Sequence, residues 1–196
     1  MISGYVLNIL VGYLLGSIPV GLLVGYAFLH RDVRELGSGK TGATNVLRTA
    51  GKFPAALVVV GDISKGAIPA LLGRFAWDDD GVAAAGAAFA IAGHIWPVFA
   101  GFRGGRGVAT AFGGVLALTP IVALAFPLLG AVVILATRYV SLMSILVTPV
   151  AAAVLIAEAF AGIEAPAFAI YAIVAVVLIE FMHLPNIRRL LAGTEP

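Results

Sequence analysis

Cysteine is absent from the 196 residues, and Asp, Glu, Lys and Arg together make up only 11% of them, where soluble domains carry about a quarter. The first absence removes disulfides, thiolate nucleophiles and thiolate-ligated metal while leaving the compartment open. The second, with 61% hydrophobic residues and a mean hydropathy of +1.08, excludes a soluble globular chain and points to an integral membrane protein. No basic stretch precedes the first apolar run, so no cleavable signal peptide is expected. The apolar runs lack the strict alternation of barrel strands. The basic loops are short, glycine-rich and nearly free of aromatic residues, which argues against nucleic acid as a partner.

What the sequence does have is seven apolar segments, at roughly 4–29, 54–74, 82–100, 107–119, 121–137, 141–160 and 166–183. They predict an all-α integral membrane protein, a single membrane-embedded domain over 1–196 built as a bundle of seven transmembrane helices. The fourth segment is too short for the ~30 Å hydrocarbon core and is expected to be tilted in thinned lipid or to be a half-helix packed in protein. Gly12/Gly16 and Gly21/Gly25 give the small-residue spacing of close helix contact.

With an odd number of spans, Arg31, Arg34, Lys40, Arg48, Lys52, Arg103, Arg106, Arg138, Arg188 and Arg189 fall on one side. Asp78, Asp79, Asp80, Glu158 and Glu164 fall on the other, with Arg74 as the only base there. The positive-inside rule then puts the N-terminus outside and the C-terminus in the cytoplasm.

Three polar clusters end apolar segments on the basic side. The first, Gly37-Ser38-Gly39-Lys40-Thr41-Gly42-Ala43-Thr44-Asn45 and then Arg48, has the makeup of an anion cradle: glycines for close backbone approach, hydroxyl and amide donors, and two cations. A Walker A loop would need glycine where Arg34 stands, and a dinucleotide fingerprint over Gly37, Gly39 and Gly42 would need a preceding strand instead of a membrane helix. The second cluster runs from Gly93-His94 through Phe102-Arg103-Gly104-Gly105-Arg106-Gly107 to Thr110, and the third from His183 through Asn186 and Arg189 to Glu195. Asp62 and Lys65, three apart on one helix face, read as a supporting ion pair.

These clusters, in this order, resemble those of the bacterial membrane acyl-phosphate:glycerol-3-phosphate acyltransferase family. Its loops read GSGNxGATNxxR, GHxxPxFxxFxGGKGVAT and HxxNIxRLxxGxE, against Gly37–Arg48, Gly93–Thr110 and His183–Glu195 here, with Lys40 in place of the asparagine, Arg106 in place of the lysine, and Met182 in place of a common arginine. The resemblance implies an enzyme of the bacterial inner membrane that moves a fatty acyl group from acyl phosphate to the 1-position hydroxyl of glycerol 3-phosphate. The products would be lysophosphatidic acid and inorganic phosphate, made with no cofactor or metal, and a separate enzyme would supply the acyl phosphate. An acyl phosphate carries its own leaving group, which suits a chain with no Gly-x-Ser-x-Gly elbow and no acyl-enzyme. On this reading Ser38, His94, Arg106 and His183 are the catalytic residues. Gly37, Gly39, Lys40, Thr44, Asn45, Arg48, Gly104, Gly105, Ser141, Asn186 and Arg189 bind substrate, with Ser141 equally suited to capping a helix. His94, His183 or a substrate phosphate oxygen can take the hydroxyl proton, the phosphate being favoured. The rival reading is a small transporter of a phosphorylated metabolite, which would need polar residues through the midplane or an internal repeat.

Overall fold

In a computed structural model that describes residues 2–195, the chain is all-helical, with no strand among those residues. The helices are α1 (Ile2–Gly16), α2 (Val20–Leu29), α3 (Ala43–Ala50), α4 (Lys52–Trp77), α5 (Asp80–Ile95), α6 (Val108–Leu118), α7 (Pro120–Thr137), α8 (Val140–Phe160) and α9 (Pro166–Leu191). Among the described residues, six stretches are long and apolar enough to cross a membrane, with α1 and α2 forming one 28-residue stretch, and the shorter α6 is the seventh apolar segment. Two boundaries differ from the sequence expectation. The first span breaks at Ser17–Pro19, where Pro19 has no N–H to give the helix ladder and restricts Ile18 before it. The last span runs on through Pro185 to Leu191; one missing hydrogen bond near the end of a 26-residue helix does not stop it, so His183, Asn186 and Arg189 of the third cluster lie on the helix itself.

Exposure is inverted relative to a soluble protein. Large apolar side chains such as Leu10, Val60, Leu128 and Phe181 face outward, while alanine and glycine fill the contacts between helices. Lipid tails are as apolar as leucine, so helices associate through close backbone packing instead of the hydrophobic effect. A Cβ on Gly12 would strike the Gly86 carbonyl, which brings α1 directly against α5. Gly21 and Gly25 instead receive the loop after α2, at Thr41 and Val33. Asn8 is fully buried and donates to the carbonyls of Pro69 (2.9 Å) and Val82 (2.8 Å), joining α1 to α4 and α5.

The short α6 packs in protein, as the half-helix expectation had it. Its C-terminal carbonyls at Ala117 and Leu118 accept from Arg74 at 3.1 and 3.0 Å, so that lone base on the acidic side closes a helix end that stops inside the bundle. Arg74 also faces Asp80 at 3.4 Å and lies over the Phe168 ring. Glu164 stands in the same acidic group, and its carboxyl is pushed up by burial and then by Glu158, with Arg74 opposing. The opposite end of α6 begins at Gly107, whose φ of 87° is open to glycine, and faces the three polar clusters.

Candidate active site

The first wall is the loop before α3, organised by one carboxamide. Asn45 is 2% exposed, and its Nδ2 donates to the carbonyls of Val33 (2.9 Å), Leu36 (3.0 Å) and Lys40 (2.9 Å), while its Oδ1 accepts from the Ser38 N–H at 2.8 Å. The side chain expected to donate to a ligand is committed to the loop, so what it offers a ligand is the placement of Ser38 and Lys40. Gly37 (φ 54°) and Gly39 (φ 69°) take the left-handed backbone the turn needs, and a Cβ on Gly37 would also strike Asn45. Thr44 and Arg48, one turn apart on α3, complete this wall. Arg34 ties it to the second cluster by donating to the Ala100 carbonyl at 2.8 Å. Asp32 holds that guanidinium at 2.7 Å, and hydrogen bonds from Arg34 keep the Asp32 carboxyl below its usual range.

The second wall is the glycine loop between α5 and α6. The N–H groups of Gly104 and Gly105 donate back to the carbonyls of Ile95 and His94, both at 3.2 Å, and the Gly105 Cα lies against the His94 ring, leaving no room for a Cβ. His94 Nδ1 is 3.5 Å from the Asp62 carboxylate, which Lys65 pairs at 2.8 Å. Lys65 also donates to the Ile18 carbonyl at 3.2 Å, where the first span breaks. A buried trio thus anchors α4, the glycine loop and the α1–α2 junction to one another.

The third wall is the end of α9. The His183 Nδ1 lies 2.8 Å from the Ile179 carbonyl, a contact that assigns the ring proton to Nδ1 and leaves Nε2 as an acceptor. Asn186 Nδ2 donates to Glu195 Oε1 at 2.6 Å and Arg189 Nε to Oε2 at 2.7 Å, so the C-terminal tail folds back over the helix end. Burial raises the Glu195 carboxyl, but its contacts with Ser141, Asn186 and Arg189 outweigh that and lower it. Ser141 sits at the start of α8 without capping it, its hydroxyl on the side of the Glu195 carboxylate.

All three walls line one cavity of about 540 Å³. Ser38, Lys40, Thr44, Asn45, Arg48, Asp62, His94, Arg106, Ser141, His183, Asn186 and Arg189 all reach it. Gly37, Gly39, Gly104, Gly105 and Lys65 are not among the residues that line it. The mouth is cationic. The Arg106 guanidinium is pushed down by burial and then, against the attraction of Glu195, by Arg189 and Arg48; its Nε is buried without a partner. Lys40 is pushed down by burial and by Arg106 and Arg103. Cations that depress one another around an open volume give that volume a positive potential that attracts anions. The α6 N-terminus, with Val108 and Ala109 in the lining, adds its dipole in the same sense. Below the mouth the lining turns apolar, through Phe112 and Val115 of α6, Phe126 of α7, Val147 and Leu155 of α8, and Ile179 of α9.

Two lining residues carry little signal in the sequence. Glu195 lies in the third motif, but nothing in its spacing says that the tail returns to Asn186 and Arg189. Tyr171, fully buried in α9, donates to the Ala111 carbonyl at 2.7 Å; a lone tyrosine within an apolar span is its only mark.

The fold and cavity define an integral membrane protein with a cationic mouth opening onto a mostly apolar cavity. Residues 6–193 match the glycerol-3-phosphate acyltransferase family, and the chain belongs to it. Its relatives include the glycerol-3-phosphate acyltransferase of Rubrobacter xylanophilus, 46% identical over 97% of this chain and 93% of the relative. Glycerol-3-phosphate acyltransferase 3 of Dehalococcoides mccartyi is 43% identical over 100% and 96%. The crystal structure of PlsY (YgiH), an integral membrane glycerol 3-phosphate acyltransferase, in its glycerol 3-phosphate form is similar with a TM-score of 0.90 and 40% identity, covering 98% of this chain and 94% of that one. Its lysophosphatidic acid form gives 0.88 and 39% over the same shares.

Proposed function

We propose that the chain transfers a fatty acyl group from acyl phosphate to the 1-hydroxyl of glycerol 3-phosphate, in one step, at the cationic mouth of this cavity. The observation that carries the reading is the junction itself: Arg48, Arg106 and Arg189 meet at the head of an apolar volume, so two phosphates and one acyl chain can be held together. Arg106, with its unpartnered Nε, grips the phosphoryl group of the donor. Lys40, Arg48 and Arg189 screen the repulsion between the two phosphates, and Ser38 and Ser141 add neutral donors. The hydroxyl oxygen attacks the acyl carbonyl carbon, the bond from that carbon to the phosphate oxygen breaks, and the hydroxyl proton passes to a phosphate oxygen. Inorganic phosphate and lysophosphatidic acid result. Nε2 of His183 accepts from the attacking hydroxyl and aims it. His94 and Asp62 position the glycine loop.

The basic ends of the helices support a mouth open to the cytoplasm in a bacterial inner membrane, where a separate acyl-phosphate-forming enzyme supplies the donor. A transporter would need a continuous polar path beyond the mouth, and the lower lining is mostly apolar, broken by the hydroxyls of Ser144, Thr148 and Tyr171. The test is donor choice: purified protein in lipid should make lysophosphatidic acid from acyl phosphate and not from acyl-CoA or acyl-carrier protein. Equal product from a thioester would refute the donor assignment.

A further inference from the structure

The apolar part of the cavity has a definite length. Its lining on α8 is one stripe, from Val140 and Ser141 at the mouth to Leu155. On α9 the matching stripe runs from Arg189 at the mouth through Asn186 to Ala172 and Tyr171. The two stripes are level at Ser141 and Asn186, because both face the Glu195 carboxylate. They also end at one level, since 14 residues separate Ser141 from Leu155 as they separate Asn186 from Ala172, about 21 Å of helix. Beyond that level Phe168 is fully buried and does not line the cavity.

We propose that Leu155 and Tyr171 close the cavity as a chain-length stop, making it a ruler for acyl groups of about 16 carbons. The length follows from the geometry: C–C bonds of ~1.52 Å at ~111° advance about 1.25 Å per carbon, so ~21 Å holds about 16 to 17 carbons. The occupant is the acyl chain of the donor, because the cavity runs on without interruption from the phosphate-binding mouth. The inference rests on the acyl-transfer reading above and adds a specificity to it. The discrimination is steric. The chain arrives from lipid and not from water, so each added methylene gains little by entering the cavity. A chain that outruns the stop must displace packed side chains at a cost that corresponds to roughly tenfold or more in rate.

The experiment measures relative kcat/KM for saturated acyl phosphates of 10 to 20 carbons, in competition, with glycerol 3-phosphate and protein in lipid vesicles. The wild type should show a level or gently rising profile to 16 carbons and a fall of about tenfold or more by 20. Leu155→Ala removes three side-chain carbons and should move the fall outward by about two to three carbons; Ala151→Leu, one turn (~6 Å) nearer the mouth, should move it inward by about five. The readout in each protein is the ratio between chain lengths, which a general loss of folding or turnover does not alter. A wild-type profile flat through 20 carbons would overturn the ruler by showing that long chains leave sideways into lipid, as would a fall unmoved in both variants. Absence of product at every length would instead refute the acyl-transfer reading beneath it.

Discussion

Arg106→Ala separates a residue kept for chemistry from one kept for folding, because the two roles predict opposite effects. Arg106 is half-buried, is repelled by the charges of Arg189 and Arg48 and attracted by that of Glu195; its guanidinium is depressed from its ordinary value by burial first and, against Glu195, by those cations. Without substrate, therefore, it destabilises its surroundings, and its removal should leave thermal stability unchanged or raise it. With a phosphoryl group in the mouth the balance reverses. One charged donor on developing negative charge in a partly dry site contributes about 3 kcal/mol, so Arg106→Ala should lose roughly a hundredfold in kcat/KM for the acyl donor. Arg106→Lys keeps the charge but not the two-pronged geometry, and should retain substantial activity with a changed KM more than a lost kcat. Steady-state kinetics with thermal unfolding of the same preparations reads both effects. Near-normal turnover of Arg106→Ala, or a drop in its stability matching its loss of rate, would refute the reasoning.

Asn45→Ala should free the loop between α2 and α3, costing about 2–3 kcal/mol for the buried hydrogen bonds and releasing the backbone amides of 36–40 to fast hydrogen exchange. Arg74→Ala should lower thermal stability by about 2–3 kcal/mol, since the α6 carbonyls it serves end inside the bundle, while KM for glycerol 3-phosphate stays near wild type. Glu195 has a folded-state pKa below its unfolded one, so its hold on the tail is complete above the unfolded value of ~4.3 and lost as pH falls through the lower, folded value. Protease cleavage of the tail should therefore rise only at acid pH in wild type, and Glu195→Gln should remove that dependence and expose the tail at neutral pH.

The apolar runs are legible in the sequence because lipid forces them: a backbone with no water must be helical and its outward side chains apolar, so 107–119 stands out as too short on its length alone. The end of α9 is not legible, because the apolar run stops at 183 while the helix carries its polar end on through Pro185 to Leu191. The polar clusters are legible as groups, since glycine, hydroxyl and base together have few other uses at a helix end. Which atoms face a ligand is not. Asn45 reads as a donor to substrate, and only the folded loop shows its amide facing Val33, Leu36 and Lys40. Asp62 and Lys65 carry their pairing in their spacing, whereas His94 joining them depends on α4 and α5 lying side by side.

The most direct test of the account is a rapid-mixing measurement of phosphate release from acyl phosphate, with and without glycerol 3-phosphate, at enzyme concentrations near those of the donor. Direct transfer at one cavity predicts no release without the acceptor and, with it, one phosphate for each lysophosphatidic acid from the first turnover onward. A stoichiometric burst of phosphate without glycerol 3-phosphate, with acyl label retained on Ser38 or Ser141, would contradict it.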